Sequence, residues 1–229
     1  MHDAVAAGTP YDEGNVDDSF TDSTGIVLAG GLGRRMGMPK ASLAFLSAPL
    51  IERVIDSIRR SCDHLIVVTA PDQNLQLPGI DPTEVVPDVS GSLGPLMGIY
   101  TGLRHSTSPC SIAVGCDMPF LDAALLRHLR NLADGYDAVV PVHNGRLQPL
   151  HAVYAAACLP AVETMLEEGD LAVHRLFDRV TTRYVERDEW AQFDPSGRTF
   201  LSVNTPGELA QAEATARQAY RFPRRTAAR

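Results

Sequence analysis

Gly25-Ile26-Val27-Leu28-Ala29-Gly30-Gly31-Leu32-Gly33-Arg34-Arg35-Met36-Gly37-Met38-Pro39-Lys40 is the stretch on which the reading of this chain turns. Residues 25–29 form a short apolar run that reads as a buried strand. The run empties into a loop holding Gly30, Gly31, Gly33 and Gly37. Glycines let backbone N–H groups come close to a ligand, and N–H groups that converge in such a loop form an anion-binding concavity. Arg34, Arg35 and Lys40 place three positive charges within seven residues. The stretch is therefore a candidate phosphate cradle; the alternative is an ordinary strand-turn with a basic solvated face.

Two familiar phosphate loops do not fit. A Walker A loop ends in Gly-Lys followed by Ser or Thr. Here Met38 and Pro39 separate Gly37 from Lys40, and Ala41 follows without a hydroxyl for magnesium. A dinucleotide fingerprint needs G-x-G-x-x-G opening a helix. Gly31, Gly33 and Gly37 give G-x-G-x-x-x-G instead, and Pro39 opposes a helix through the loop.

Outward from the loop, strands and helices alternate. Residues 49–60 carry Leu50, Ile51, Val54, Ile55 and Ile58 at helical spacing. A second strand is expected at 64–69, closed by Ala70-Pro71, and a short third at 84–86 before Pro87-Asp88. Residues 91–98 form a second glycine-rich turn, opening a helix to about 104. A strand at 111–116 ends at Asp117-Met118-Pro119, Asp122 is placed to cap a helix over 123–132, and a strand follows at 136–140. The alternation indicates βαβ units: an α/β, Rossmann-like three-layer sandwich with a mostly parallel sheet and helices on both faces. In such sheets ligands sit beyond the carboxyl ends of the strands, where the glycine loop, Ala70-Pro71, Asp88 and Asp117 would converge on one rim.

The later part is less regular. Asn144-Gly145 is a hairpin turn signal within 142–154. A helix is expected over 153–166 with Gly169-Asp170 as its stop, a short helix over 173–179, and a strand at Tyr184 and Val185. Residues 200–203 read as a last strand, and Pro206 as the first position of a helix capped by Thr205 and running to about 220. The organisation expected is an acidic, disordered segment at 1–24, one domain at 25–216 divided near residue 140, and a basic tail at 217–229.

At 229 residues, 45% hydrophobic and 21% charged, the chain suits one soluble domain. The net charge of −8 argues against a nucleic-acid binder. Asp3, Asp12, Glu13, Asp17, Asp18 and Asp22 lie in residues 1–24 without a Lys or Arg, so the remainder is close to neutral and tolerates a phosphate-handling surface. Cys62, Cys110, Cys116 and Cys158 show no C-x-x-C pairing, which argues against a zinc or redox motif. No apolar run has the length of a membrane span and no secretory leader is legible, so a reducing cytoplasm is the expected setting.

Asp117 closes the run Ile112-Ala113-Val114-Gly115-Cys116. A carboxylate at the mouth of a parallel strand, facing a basic glycine loop, suits magnesium bridging to nucleotide phosphates, because magnesium takes one or two protein carboxylates and fills its other positions with phosphate oxygens and water. The structural alternative is a turn aspartate bonding local N–H groups. Asp88 is a second candidate of the same kind. If a nucleoside triphosphate occupies the cradle, an acceptor phosphate is already largely ionised near neutrality, so the absence of a Ser/His/Asp or Cys/His constellation is no objection. Positioning and charge neutralisation suffice.

The opening stretch resembles the LAGGxxxRMGxxK signature of the nucleotidyltransferases that modify the molybdenum cofactor, the MobA-like family, and the resemblance runs over about residues 25–212. It implies a fold of the nucleotide-diphospho-sugar transferase type. Leu28, Ala29, Gly30, Gly31 and Lys40 fall on the family's nucleotide-contacting positions; Lys40, Arg34 or its neighbour Arg35, and Asp117 are the candidate catalytic groups, by neutralising charge on the transferred group. Leu93-Gly94-Pro95-Leu96-Met97-Gly98-Ile99 resembles the G-P-L-x-G-I segment, and Asp88 falls on the aspartate before it. Cys116-Asp117-Met118-Pro119-Phe120-Leu121 resembles C-D-x-P-[FY], which makes Asp117 the implied Mg2+ ligand. Gln148-Pro149-Leu150-His151-Ala152-Val153-Tyr154 and Val203-Asn204-Thr205-Pro206-Gly207-Glu208-Leu209 resemble two later motifs, placing Gln148 and Asn204 on the acceptor side. The implied reaction joins GMP from GTP to molybdopterin and releases pyrophosphate, with transient contacts to other cofactor-biosynthesis proteins or recipient enzymes. A cytidylyltransferase on the same cofactor, or a partner protein that holds nucleotide without turnover, are the alternatives. The chain departs from the pattern at Pro39, where an acidic residue is common, at Ser202, where Asn is usual, and at 169–172, which lacks an arginine often found there.

Overall fold

The computed structural model describes residues 22–30, 43–71, 73, 80–81, 84–89 and 94–221, the last three through their backbone alone. The first strand, β1 (Ser23–Leu28), is buried along nearly its whole length, so both faces carry packing. Its alternate side chains belong to different layers. Val27 and Ala29 join one apolar cluster, and Ile26 joins another on the opposite face.

Each layer comes close to β1 because a side chain is missing there. On one face, α1 (Leu50–Arg59) lays Ile58 against Gly25 so tightly that a methyl group at Gly25 would overlap Ile58 Cγ2. On the other, α2 (Gly94–His105) places Gly102 over Ile26, where an added Cβ would lie 2.5 Å from Ile26 Cγ2. The first face is completed by α3 (Ala123–Asn131), whose N-terminal amides at Ala124 and Leu125 donate to the Asp122 carboxylate at 2.8 and 3.0 Å. The second is completed by α4 (Leu159–Glu167) and a 3-10 turn at Val173–Asp178.

The strands β4 (His64–Thr69), β5 (Val85–Pro87), β6 (Cys110–Gly115), β7 (Ala138–His143), β9 (His151–Ala155) and β10 (Thr182–Val185) join β1 in the order β10-β7-β9-β6-β1-β4-β5, with β8 (Arg146–Leu147) hairpinned onto β7. All pairings are parallel except those of β9 and β8. The carboxyl ends of β1, β4, β5, β6, β7 and β10 therefore share one rim, and the first residue of β9 lies on it too. A two-stranded hairpin, β2 (Ala44–Phe45) and β3 (Ala48–Pro49), packs with α6 (Pro206–Arg221) in a third cluster of Leu43, Phe45, Leu50, Val203, Ala212 and Ala216. A four-residue helix, α5 (Arg187–Trp190), buries Trp190 in the first layer.

Asn144 (φ 52) and Gly145 (φ 69) make the left-handed turn expected between β7 and β8. Four expectations are corrected. Residues 153–155 are strand, not helix: Val153 pairs with Ile112 on one side and Val139 on the other, and α4 begins only at Leu159. Residues 200–203 form no strand; a 3-10 turn at Arg198–Phe200 precedes an extended segment whose Val203 N–H bonds the Asp117 carbonyl at 2.9 Å instead of a ladder partner. The strand expected at 136–140 spans 138–143. The strand expected from residue 25 begins at Ser23, whose hydroxyl and N–H both donate to Asp63 Oδ2 at 3.0 Å. All four cysteines are free thiols, and burial pushes Cys158 up to about 12 and Cys62 and Cys110 up to about 11. No helix among the described residues is long and apolar enough to cross a membrane.

Candidate functional site

The rim is assembled by backbone bonds that carry the sheet one residue past its strands. Ala29 N–H donates to the Val68 carbonyl at 2.7 Å, and Cys116 N–H donates to the Leu28 carbonyl at 3.1 Å. The chain therefore leaves β1 at Gly30 and β6 at Asp117 side by side. Gly30 passes so near the exit of β4 that a Cβ there would lie 3.2 Å from the Ala70 nitrogen. Leu28 is met from the other layer by Gly98 of α2, where an added Cβ would lie 3.0 Å from Leu28 Cδ2. Leu28 thus closes β1, and Ala29 and Gly30 carry the chain onto the rim. Gly31, Arg34 and Lys40 lie outside the described residues, as do Gly33, Arg35 and Gly37.

Asp117 is buried to within 9% of its surface. Its carboxylate folds back over Gly115, and a Cβ on that glycine would lie 2.6 Å from Asp117 Oδ1. Its carbonyl accepts the Val203 N–H, so the 202–205 segment is bolted to the same spot. Next along the chain, Arg53 Nε donates to the Pro119 carbonyl at 3.4 Å and Ser57 Oγ to the Leu121 carbonyl at 3.2 Å. One turn apart on α1, these two side chains hold the segment that carries Asp117.

Asp88 leaves β5 with its N–H on the Thr69 carbonyl at 2.8 Å, and its Oδ1 accepts the Thr101 hydroxyl of α2 at 3.0 Å. Three strand spacings separate the exits of β5 and β6, about 14 Å. Asp88 and Asp117 are on one rim but too far apart to share an ion directly. Among the described residues no group of three His, Cys, Asp or Glu is disposed to hold a metal. A single buried carboxylate suits an ion that brings most of its oxygen ligands with a triphosphate, as magnesium does; the donor set fits that role and not a resident metal cage.

Gln148 lies in the turn between β8 and β9, its N–H on the Pro141 carbonyl at 2.9 Å and its side chain donating to the Arg146 carbonyl at 3.0 Å. Asn204 donates from Nδ2 to Ser202 Oγ at 3.0 Å, and Glu208 Oε2 accepts the N–H groups of Asn204 and Thr205 at 2.6 and 3.0 Å while its own N–H donates to Thr205 Oγ1 at 3.2 Å. That reciprocal cap starts α6 and fixes the Asn-Thr-Pro turn.

Beside this segment lies an aromatic box that the sequence reading did not single out. His143 stacks on Phe200 at 5.0 Å between ring centroids, His151 meets the same ring edge-on at 4.9 Å, and Trp190 closes it at 5.1 Å. His151 is fully buried with no hydrogen-bond partner on either ring nitrogen. Burial, opposed by the Asp194 carboxylate, drives its pKa down to about 3; burial likewise lowers that of His143. Both rings are therefore neutral near neutral pH. His143 ends β7 and His151 begins β9, so only the antiparallel insertion of β9 brings them together; eight residues apart, they carry no pattern a sequence reader would pair. Thr101, which holds Asp88 from α2, and Gly115, which makes room for the Asp117 carboxylate, were not singled out either, because each acts through a contact rather than through a motif.

The family model described as the MobA-like NTP transferase domain matches residues 25–184. A probable molybdenum cofactor guanylyltransferase of Pelotomaculum thermopropionicum is 34% identical over 194 residues, covering 85% of this chain and 93% of that one. A probable molybdenum cofactor guanylyltransferase of Methanosarcina mazei is 37% identical over 194 residues, 80% of this chain and 87% of the relative. Among solved structures, molybdopterin-guanine dinucleotide biosynthesis protein A of Archaeoglobus fulgidus superposes with a TM-score of 0.71 at 27% identity, over 85% of this chain and 99% of that one. The sheet order and the two helical layers are those of the nucleotide-diphospho-sugar transferase type.

Proposed function

The chain belongs to the MobA-like NTP transferase family, and from that premise we propose that it transfers GMP from GTP to molybdopterin, releasing pyrophosphate. The observation that carries this reading is the adjacency of the β1 and β6 exits, fastened by the Cys116 N–H on the Leu28 carbonyl. It brings Gly30, the first residue of the glycine loop, beside the chain's exit at Asp117, which supports a triphosphate gripped between amides and a cation-holding group.

In the proposed reaction an oxygen of the molybdopterin phosphate attacks the α-phosphorus of GTP. A new phosphorus–oxygen bond forms as the bond to the oxygen bridging to the β-phosphorus breaks, and that oxygen leaves with pyrophosphate. The attacking oxygen is already ionised for the most part, since a phosphate monoester has a second pKa of about 6, so no general base is needed. Leu28, Ala29, Gly30 and Gly31 present backbone to the nucleotide, Asp88 fixes its far side through the Thr101-held carboxylate, and Lys40 and Arg34 neutralise charge on the transferred group. Asp117 would hold Mg2+, which when bound shields the triphosphate and stabilises the departing charge. Gln148 and Asn204 face the acceptor. The setting is the cytoplasm, and the product passes by transient contact to later cofactor-handling proteins or recipient enzymes.

The test is pyrophosphate release from the purified chain given GTP, magnesium and molybdopterin. Release that depends on all three supports the reading; no release with molybdopterin, or a preference for CTP over GTP, defeats the guanylyl assignment.

A further inference from the structure

Residues 199–205 form a strap laid along the segment that carries Asp117. Thr199 is fully buried, and its hydroxyl accepts the Asp122 N–H at 3.1 Å. Val203 N–H donates to the Asp117 carbonyl at 2.9 Å. The later residue of the strap meets the earlier residue of the segment, so the two run side by side in opposite directions. Phe200 is fixed in between by the rings of His143, His151 and Trp190, and only Leu201 and Ser202 of this stretch are exposed before Val203 turns inward.

At its far end the strap is held by one carboxylate. Glu208 Oε2 accepts the Thr205 N–H at 3.0 Å and the Asn204 N–H at 2.6 Å. Capping α6 calls only for the first of these, since a capping box closes on the N–H of the cap residue, here Thr205. The bond to Asn204 is the shorter of the two and reaches one residue outside the cap. Three consecutive amides are therefore committed, Val203 to Asp117 and both Asn204 and Thr205 to Glu208. Ser202, which departs from the family pattern, takes up the Asn204 carboxamide, whose Nδ2 donates to its Oγ at 3.0 Å.

We propose that Glu208 is a positioning residue for both substrates: by fixing the strap at Asn204 it keeps the Val203 amide on Asp117, and so holds the metal-side carboxylate and the acceptor-side carboxamide in one register. This rests on the assignments of Asp117 to Mg2+ and of Asn204 to the acceptor made above. Asn204 is one peptide away from the hydrogen bond on Asp117, so a loosened strap lets both groups shift together. A displacement of about 1 Å at reacting groups is enough to be felt strongly in rate.

Pyrophosphate release, followed against magnesium and against molybdopterin well below the melting temperature, compares two ways of breaking the same cap. Glu208→Ala removes both bonds to the carboxylate, whereas Thr205→Ala removes only the bond from the Glu208 N–H to Thr205 Oγ1. Each is expected to lower Tm by roughly 2–4 °C, the cost of a weakened cap. Glu208→Ala alone is expected to raise the magnesium concentration for half-maximal rate and the KM for molybdopterin, each by about three- to tenfold, the worth of one hydrogen bond. Thr205→Ala is expected to leave both within about twofold, and Glu208→Gln, which keeps an acceptor oxygen, to fall nearer wild type than Glu208→Ala. Equal kinetic effects in Glu208→Ala and Thr205→Ala, or none in either, make Glu208 a helix cap and nothing more, and overturn the proposal. Amide hydrogen exchange on the metal-free chain gives a reading without turnover: Glu208→Ala is expected to speed exchange at Val203 more than Thr205→Ala does, and equal exchange there is as fatal. A wild-type chain that releases no pyrophosphate defeats the guanylyl reading, and exchange at Val203 then decides on its own whether Glu208 holds the bond to Asp117.

Discussion

At Asp117 the decisive feature is the side chain missing two residues before it. The carboxylate occupies the space a Cβ on Gly115 would claim, 2.6 Å away. Gly115→Ala must push the carboxylate off this position, and misplacing a reacting group by about 1 Å can cost on the order of a hundredfold in rate. We expect Gly115→Ala to lower kcat by about 10- to 100-fold and to raise the magnesium concentration needed for half-maximal rate, with Asp117→Asn abolishing turnover and neither unfolding the chain. Wild-type magnesium dependence in Gly115→Ala would separate the carboxylate from the ion. His151 makes a different prediction, on stability. Its pKa in the fold is about 3 against 6.5 in the unfolded chain, so between those values the unfolded state binds the extra proton. Its contribution is complete above pH 6.5 and is lost as pH falls toward 3, at about 1.4 kcal/mol per pH unit for one proton. His143 and His128 are shifted the same way by burial and steepen the decline. Denaturant unfolding between pH 6.5 and 4 should show this slope, and His151→Leu should reduce it by about one proton; an unchanged slope would mean that the ring is solvated.

At the scale of elements, β1 is gripped by two helices through two glycines on its opposite sides. Gly102→Ala would force Ile26 aside inside a close-packed layer, and overpacking of this kind costs about 1–3 kcal/mol. We expect a fall in Tm of roughly 3–9 °C for this substitution, with nucleotide affinity at low temperature little changed; an unshifted Tm would show that α2 can slide. Apart from the two-residue strands β2 and β3, which the sequence reading did not expect, the described helices and strands up to residue 140 were legible because each has one dominant local cue. In α1 it is the 3.6-residue spacing of Leu50, Ile51, Val54, Ile55 and Ile58, and in α3 the Asp122 cap. Residues 153–158 lack such a cue. Val-Tyr-Ala-Ala-Ala-Cys is apolar throughout, and a strand buried on both faces looks the same as a buried helix until its neighbours are known. Phe200 to Val203 failed in the other direction: β-forming side chains were present, but Phe200 is drawn into the histidine box and the Val203 N–H to Asp117.

Across the whole molecule, the segment from Asp117 to Leu121 is where the parts meet, held by Val203 on one side and by Arg53 and Ser57 of α1 on the other. A ligand that bridges the β1 and β6 exits should therefore stabilise the entire fold. GTP with magnesium at about a hundred times its Kd is expected to add about 2.7 kcal/mol, raising Tm by roughly 5–10 °C; removing the metal with EDTA should erase most of that gain. A rise that survives EDTA would detach the metal from nucleotide binding. By itself the sequence determined the alternation of strands and helices, the glycine-rich exit of the first strand and the acids that end the later ones, because each rests on residues within one turn or one pleat of each other. Only the tertiary structure decided that β9 enters antiparallel and unites His143 with His151, that Val203 caps Asp117, and that Glu213 holds Leu46. Those contacts join residues from eight to 167 positions apart, and a hydrogen bond between distant partners leaves no periodic trace in either neighbourhood.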